Sequence, residues 1–116
     1  MTPFGLHMKK LRGERGVTQK QMALAIGVSP AYLSALEHGQ RGKPSWSLLQ
    51  RIVGYFNVIW DDADILQELA NLSDPKITLD TSNLSASATR LTNRLAQKID
   101  DLSEEQIQHL LEYLEQ

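Results

Sequence analysis

The 116-residue sequence predicts an all-α protein, a five-helix domain followed by a C-terminal helical hairpin. Two observations predict it. Apolar side chains recur at three- and four-residue spacing along most of the chain, the period of one helix face. Between these stripes lie helix start and stop signals, among them capping boxes at Thr18/Gln21 and Ser103/Gln106 and the glycines at 16, 27 and 39.

The first helix is expected over residues 2–15. Phe4, Met8 and Leu11 make its buried stripe, with Lys9, Lys10, Arg12 and Arg15 pointing outward and Gly16 ending it. Thr18 caps a second helix, roughly 18–26, whose inner face is Met22, Ala23 and Ile26; the small Ala23 lets a neighbouring helix approach closely. Gly27 sits where this helix must stop and turn, a place that favours φ > 0. Val28 plugs the core from the turn, Ser29 caps a third helix over 29–38, and Pro30 suits its first position. Leu33 and Leu36 bury the inner face of that helix. Two short helices joined by a tight turn in this way have the register of a helix-turn-helix.

The loop His38–Ser45 carries Arg41 and Lys43 between two glycines and a proline. Ser45 is expected to cap a fourth helix with Leu48, Leu49, Ile52, Val53 and Phe56 on its apolar face. Trp46 is expected to be partly buried. Asn57 ends this helix, and Trp60-Asp61-Asp62 opens a fifth, whose acidic first turn suits the helix dipole. Ile65, Leu66, Leu69 and Leu72 are expected to close the core. Residues 1–72 thus read as one complete small domain.

Residues 73–116 read as a linker and a dimerisation element. Asp74-Pro75 breaks the pattern, and Ile77 and Leu79 alternate with polar residues in a short extended segment, too short for a sheet unless it pairs with a second copy. Leu91, Leu95, Ile99 and Leu102 form one helical stripe; Ile107, Leu110, Leu111 and Leu114 form another. Two such helices cannot bury both stripes against each other alone. They need the first domain or another subunit.

Composition narrows the function classes. Hydrophobic content of 41% supports a real core, and aromatic content of only 6% makes that core aliphatic. With no cysteine there is no disulfide framework, thiolate metal site or cysteine nucleophile. No apolar run approaches the roughly 20 residues that span a bilayer. Lys9, Lys10 and Arg12 interrupt any N-terminal apolar segment, so no signal peptide and a soluble cytoplasmic protein are expected. The net charge of −2 hides an asymmetry. Residues 1–60 hold eight basic and two acidic side chains, a balance of +6; residues 61–116 hold four and twelve, a balance of −8. One half suits an anionic partner and the other does not.

Residues 4–60 resemble the lambda-repressor-like helix-turn-helix of the Xre family of bacterial and phage regulators. The resemblance rests on Leu11-Arg12, Val17-Thr18-Gln19, Met22-Ala23, Gly27-Val28-Ser29, Tyr32-Leu33-Ser34 and Leu36-Glu37-His38-Gly39. It covers about half the chain. It implies a five-helix DNA-binding domain with the third helix, 29–38, in the major groove of double-stranded DNA. Gln19, at a helix N-terminus, matches a phosphate-contacting position. Ser29, Pro30, Ala31, Tyr32, Ser34, Ala35 and His38 are the outward-facing positions of the third helix, and Arg41 and Lys43 flank them in the loop. Glu37 matches a position whose acid makes an intramolecular bond toward the residue at Arg12.

This sequence departs from the better-known phage repressors, which carry long amides where it has Pro30, Ala31 and Ala35. Alanine cannot make the bidentate bonds to adenine that Gln and Asn make. What remains is methyl contact to thymine, the hydroxyls of Ser29 and Ser34, and Tyr32. Specificity therefore leans on Arg41, Lys43 and DNA shape.

A single domain of this kind occupies one half-site, so a homodimer on a palindromic operator is expected, joined through the C-terminal hairpin. The alternative is an antitoxin-type protein that binds its own operator and uses the extension on a toxin partner. An enzyme is not expected. His7, His38 and His109 are scattered, Asp61, Asp62 and Asp64 fit a helix N-terminus better than a metal site, and no phosphate-cradling glycine loop or cofactor motif is present.

Overall fold

A computed structural model describes all 116 residues, Met1–Gln116, as seven α-helices and one 3₁₀ turn, with no strand. The chain divides into two compact units, Met1–Ile77 and Thr78–Gln116.

The first unit holds α1 (Pro3–Arg15), α2 (Gln19–Ile26), α3 (Pro30–Glu37), α4 (Trp46–Phe56) and α5 (Asp61–Asn71). Each boundary follows from a local signal. Thr2, Thr18, Ser29 and Ser45 accept hydrogen bonds from backbone N–H groups in the first turns of α1 to α4, satisfying donors that have no partner within the helix. The Thr18/Gln21 capping box closes in both directions. Gly27 ends α2 at φ 81°, a left-handed conformation that glycine adopts without a Cβ penalty. Asn57 ends α4 in the same region at φ 54°.

The core is built from the predicted stripes: Phe4 and Met8 of α1, Met22, Ala23 and Ile26 of α2, Leu33 and Leu36 of α3, and Leu48, Leu49, Ile52 and Phe56 of α4. Helix α5 adds Leu66 and Ala70. Ile65 and Leu72, expected in the core, are about half exposed. The stripe of α5 rotates so that Ala70 replaces them, and Ser73 finishes the packing. Buried Ser73 accepts from Phe4 N at 2.9 Å and donates to Leu69 O at 2.6 Å, joining the end of α5 to the start of α1.

Two other expectations fail in this unit. Trp46 is 71% exposed. It is the first residue of α4 and no part of the core cluster. Arg12, expected on the outer face of α1, is buried beside Glu37. An arginine enters a core when a carboxylate and its hydrogen bonds compensate the lost hydration.

The second unit holds α6 (Ala86–Lys98), a 3₁₀ turn (Ile99–Asp101) and α7 (Glu104–Leu114). Ser85 caps α6, and Ser103 with Gln106 forms a complete capping box on α7. The alternating segment around Ile77 and Leu79 forms no strand. Asp80 instead closes a local turn, accepting from Ser82 N at 2.9 Å and from Ser82 Oγ at 2.6 Å. No residue of this unit is buried.

Candidate nucleic-acid interface

The placement of α3 begins with two close approaches. A Cβ built on Gly5 would lie 2.1 Å from the backbone oxygen of Glu37, so the backbones of α1 and α3 meet where only glycine fits. Beside it, Thr2 donates to Glu37 O through its backbone N–H at 3.0 Å and its hydroxyl at 3.1 Å. The last turn of α3 is thereby tied to the first turn of α1.

The Glu37 side chain is a second anchor. It is fully buried and accepts from both Nη atoms of Arg12, the contact from Nη2 to Oε1 being 3.0 Å. Gln19 Nε2 donates to the same Oε1 at 2.9 Å. One carboxylate thus joins α1, α2 and α3. Losing either partner would strand a charge out of water, so the arrangement resists rearrangement more than it adds net stability. Gln19 retains one amide N–H and its backbone N–H at the start of α2, so the network also fixes the side chain proposed to meet a phosphate. The turn is held from the far side by Arg51, whose Nη1 donates to Ile26 O at 2.8 Å.

With its inner face anchored, α3 leaves its outer face open. Ser29, Pro30, Ala31 and His38 are exposed; Tyr32, Ser34 and Ala35 are half-buried. The Ser29 oxygen accepts from Tyr32 N at 3.0 Å, leaving the hydroxyl hydrogen free. His38 Nδ1 lies 2.8 Å from Ser34 O; a carbonyl only accepts, so Nδ1 carries the hydrogen in this contact. Arg41 and Lys43 are exposed in the following loop. Arg41 lies over the Tyr32 ring, 5.9 Å from its centroid. All ten residues named from the sequence are therefore at least partly open to solvent. Trp46, at the start of α4 and three residues past Lys43, is exposed beside them in sequence, although it was expected to be partly buried.

A buried-faced helix, a tight glycine turn and a second helix pinned at its end with its outer face free define a helix-turn-helix. Residues 8–59 match the family model described as Helix-turn-helix. Over these residues the chain carries a helix-turn-helix similar to that of the Xre, lambda-repressor-like regulators.

Among curated proteins, the chain is 32% identical over 62 residues to "Uncharacterized HTH-type transcriptional regulator RghRB" of Bacillus subtilis (strain 168), covering 53% of this chain and 45% of that protein. It is 38% identical over 52 residues to "HTH-type transcriptional repressor RghR" of the same organism, covering 45% of this chain and 38% of that protein. The chain thus spans less than half the length of these relatives. Among solved structures it is similar to a SinR protein/SinI protein complex, with a TM-score of 0.47 and 22% identity over 97% of this chain and 94% of that one.

Proposed function

We propose that this protein is a sequence-specific transcriptional regulator that binds double-stranded DNA as a homodimer, with residues 29–38 in the major groove and 73–116 as the dimerisation element. The observation that carries the DNA reading is the open outer face of α3 beside Arg41 and Lys43, while its inner face is locked by Glu37. The positive balance of residues 1–60 supports the same reading. Gln19, Ser29, Pro30, Ala31, Tyr32, Ser34, Ala35, His38, Arg41 and Lys43 are the proposed contacts. With alanine at 31 and 35, base readout by α3 is sparse, and shape and loop cations contribute correspondingly more.

The dimer reading is supported by the second unit. Leu91, Leu95, Leu110, Leu111 and Leu114, which lie on well-capped helices, and Ile99 in the turn between them are all at least 38% exposed. Apolar stripes of that extent mark an interaction surface. The acidic balance of residues 61–116 suits a surface kept away from phosphates.

Selection of bound duplexes from a random pool tests the function directly, because it returns sequence preference, half-site spacing and subunit number together. A palindrome with half-sites about 34 Å apart is expected. Three or four phosphates per subunit predict a log K against log salt slope of about −5 to −7 for the dimer. Flat salt dependence overturns the electrostatic part of the reading.

The uncovered stripes also support a second reading, in which the extension binds a different protein in the manner of an antitoxin. Mass measurement separates the two: the purified chain is a dimer under the first reading and a monomer awaiting its partner under the second.

A further inference from the structure

Arg41 is not a free loop cation. Its guanidinium carbon lies 5.9 Å from the centroid of the Tyr32 ring, within the range over which the negative face of an aromatic ring attracts a cation. Tyr32 belongs to α3 and packs partly against the core, so the ring is a fixed platform rather than a second mobile surface group. The loop itself is constrained. Gly39 and Gly42 bracket Arg41 at φ 80° and 77°, and a Cβ on Gly39 would come within 3.1 Å of Thr2 Cγ2 and 3.6 Å of Pro75 Cβ.

The contact has a chemical consequence. An arginine drawn to a ring by its charge uses none of its N–H donors on that contact, so they stay available in a planar fork that matches two adjacent acceptors. That donor pattern is what α3 lacks where alanine occupies positions 31 and 35. We propose that Tyr32 is a positioning residue for Arg41: its ring aims the guanidinium fork at a planar pair of acceptors on the duplex, either two phosphate oxygens or the O6/N7 edge of a guanine. The inference rests on the DNA-binding reading above and changes the part Tyr32 plays in it, from a direct contact to the support of one.

The geometry is testable before any DNA is added. In the free protein, the Arg41 Hδ resonances are expected to carry an upfield ring-current shift that persists in Tyr32→Phe and disappears in Tyr32→Leu. Unshifted Arg41 resonances in the wild-type protein overturn the inference while leaving DNA binding untouched.

Affinity for a selected duplex provides the second arm. Loss of an exposed cation–π contact is expected to weaken binding roughly two- to five-fold in Tyr32→Leu, with the salt slope unchanged because the charge remains. Arg41→Ala is expected to weaken binding at least as much and to reduce the slope by about 1 if the acceptor is a phosphate. Tyr32→Leu added to Arg41→Ala is expected to cost nothing more. Arg41→Lys, which alters no residue of the core, is expected to behave like Tyr32→Leu. Losses that are uniform across duplex sequences identify the phosphate; losses confined to one base pair identify guanine. Equal losses from Tyr32→Phe and Tyr32→Leu, or an undiminished Tyr32→Leu loss in the Arg41→Ala background, make Tyr32 an independent contact and overturn the proposal. A wild-type protein that binds no duplex overturns the functional reading itself.

Discussion

In Met1–Ile77 the apolar stripes of α1 to α5 converge, and Phe4, Met8, Leu33, Ile52 and Phe56 are withdrawn from solvent almost completely. In Thr78–Gln116 the stripes of α6 and α7 are as regular and the caps as complete, yet no residue is buried. Periodicity and capping therefore specify a helix and its apolar face equally in both units. They do not specify whether the same chain covers that face. The first unit spends its apolar surface on holding α3, and the second keeps its own available.

The comparison is broken most directly at the anchor of the first unit. Glu37→Ala would leave the buried Arg12 guanidinium and a Gln19 amide donor without their acceptor. Removing one partner of a buried ion pair is expected to cost about 3–5 kcal/mol of unfolding free energy, measured by urea denaturation. A loss comparable to that of a surface substitution would show that the pair is not desolvated as the burial of Glu37 implies.

Gly5→Ala attacks the same junction through the backbone. Its new Cβ would lie 2.1 Å from Glu37 O, and no side chain can swing aside to admit it. Helices α1 and α3 must separate, at an expected cost of about 1–3 kcal/mol in the same assay. DNA affinity is expected to fall beyond what the unfolded fraction explains, since the end of α3 moves.

These two sites also show what the sequence made legible. Spacing alone located all seven helices and most of the core, because caps and stripes are local signals. The Arg12–Glu37 pairing was legible only through family resemblance; periodicity alone put Arg12 on the outer face. The close approach at Gly5 left no mark that separates it from a helix-weakening glycine such as Gly13, which has open space around it. Ile65 was misjudged because a stripe fixes the inward face only approximately: Leu66 and, one turn on, Ala70 face the core in its place. The ten proposed contacts were chosen by position and all prove at least partly open to solvent, whereas the bond from Gln19 to Glu37 and the approach of Arg41 to the Tyr32 ring are tertiary facts that no spacing encodes.

Substitution in the second unit sharpens the contrast. Leu95→Asp with Leu111→Asp replaces two partly exposed apolar residues. The unfolding transition of the first unit is expected to stay within about 0.5 kcal/mol of wild type, as for surface changes. Light scattering is expected to show monomers in place of dimers, and operator affinity is expected to fall with loss of the second half-site. A stable dimer with both substitutions, or in a chain cut after Ile77, would remove the dimerisation role from this unit.

The smallest expected effect lies at His7 of α1, in a cleft of about 420 Å³ lined also by Lys10, Glu14, Asp62 and Ile65. Burial, aided by the nearby positive charge of Lys10, holds the His7 pKa below its ordinary 6.5, while Glu14 and Asp62 oppose the shift. The folded state therefore resists protonation more than the unfolded chain does. Well above pH 6.5 the residue is neutral in both states and costs nothing. As pH falls through 6.5, the unfolded chain takes up the proton first and stability declines, levelling off only below the depressed folded value. His7→Gln is expected to flatten that part of the stability profile, read as the difference between variant and wild-type urea midpoints from pH 7.5 to 5. A difference that grows in the opposite sense would mean that the carboxylates of Glu14 and Asp62 outweigh burial and Lys10 in this cleft.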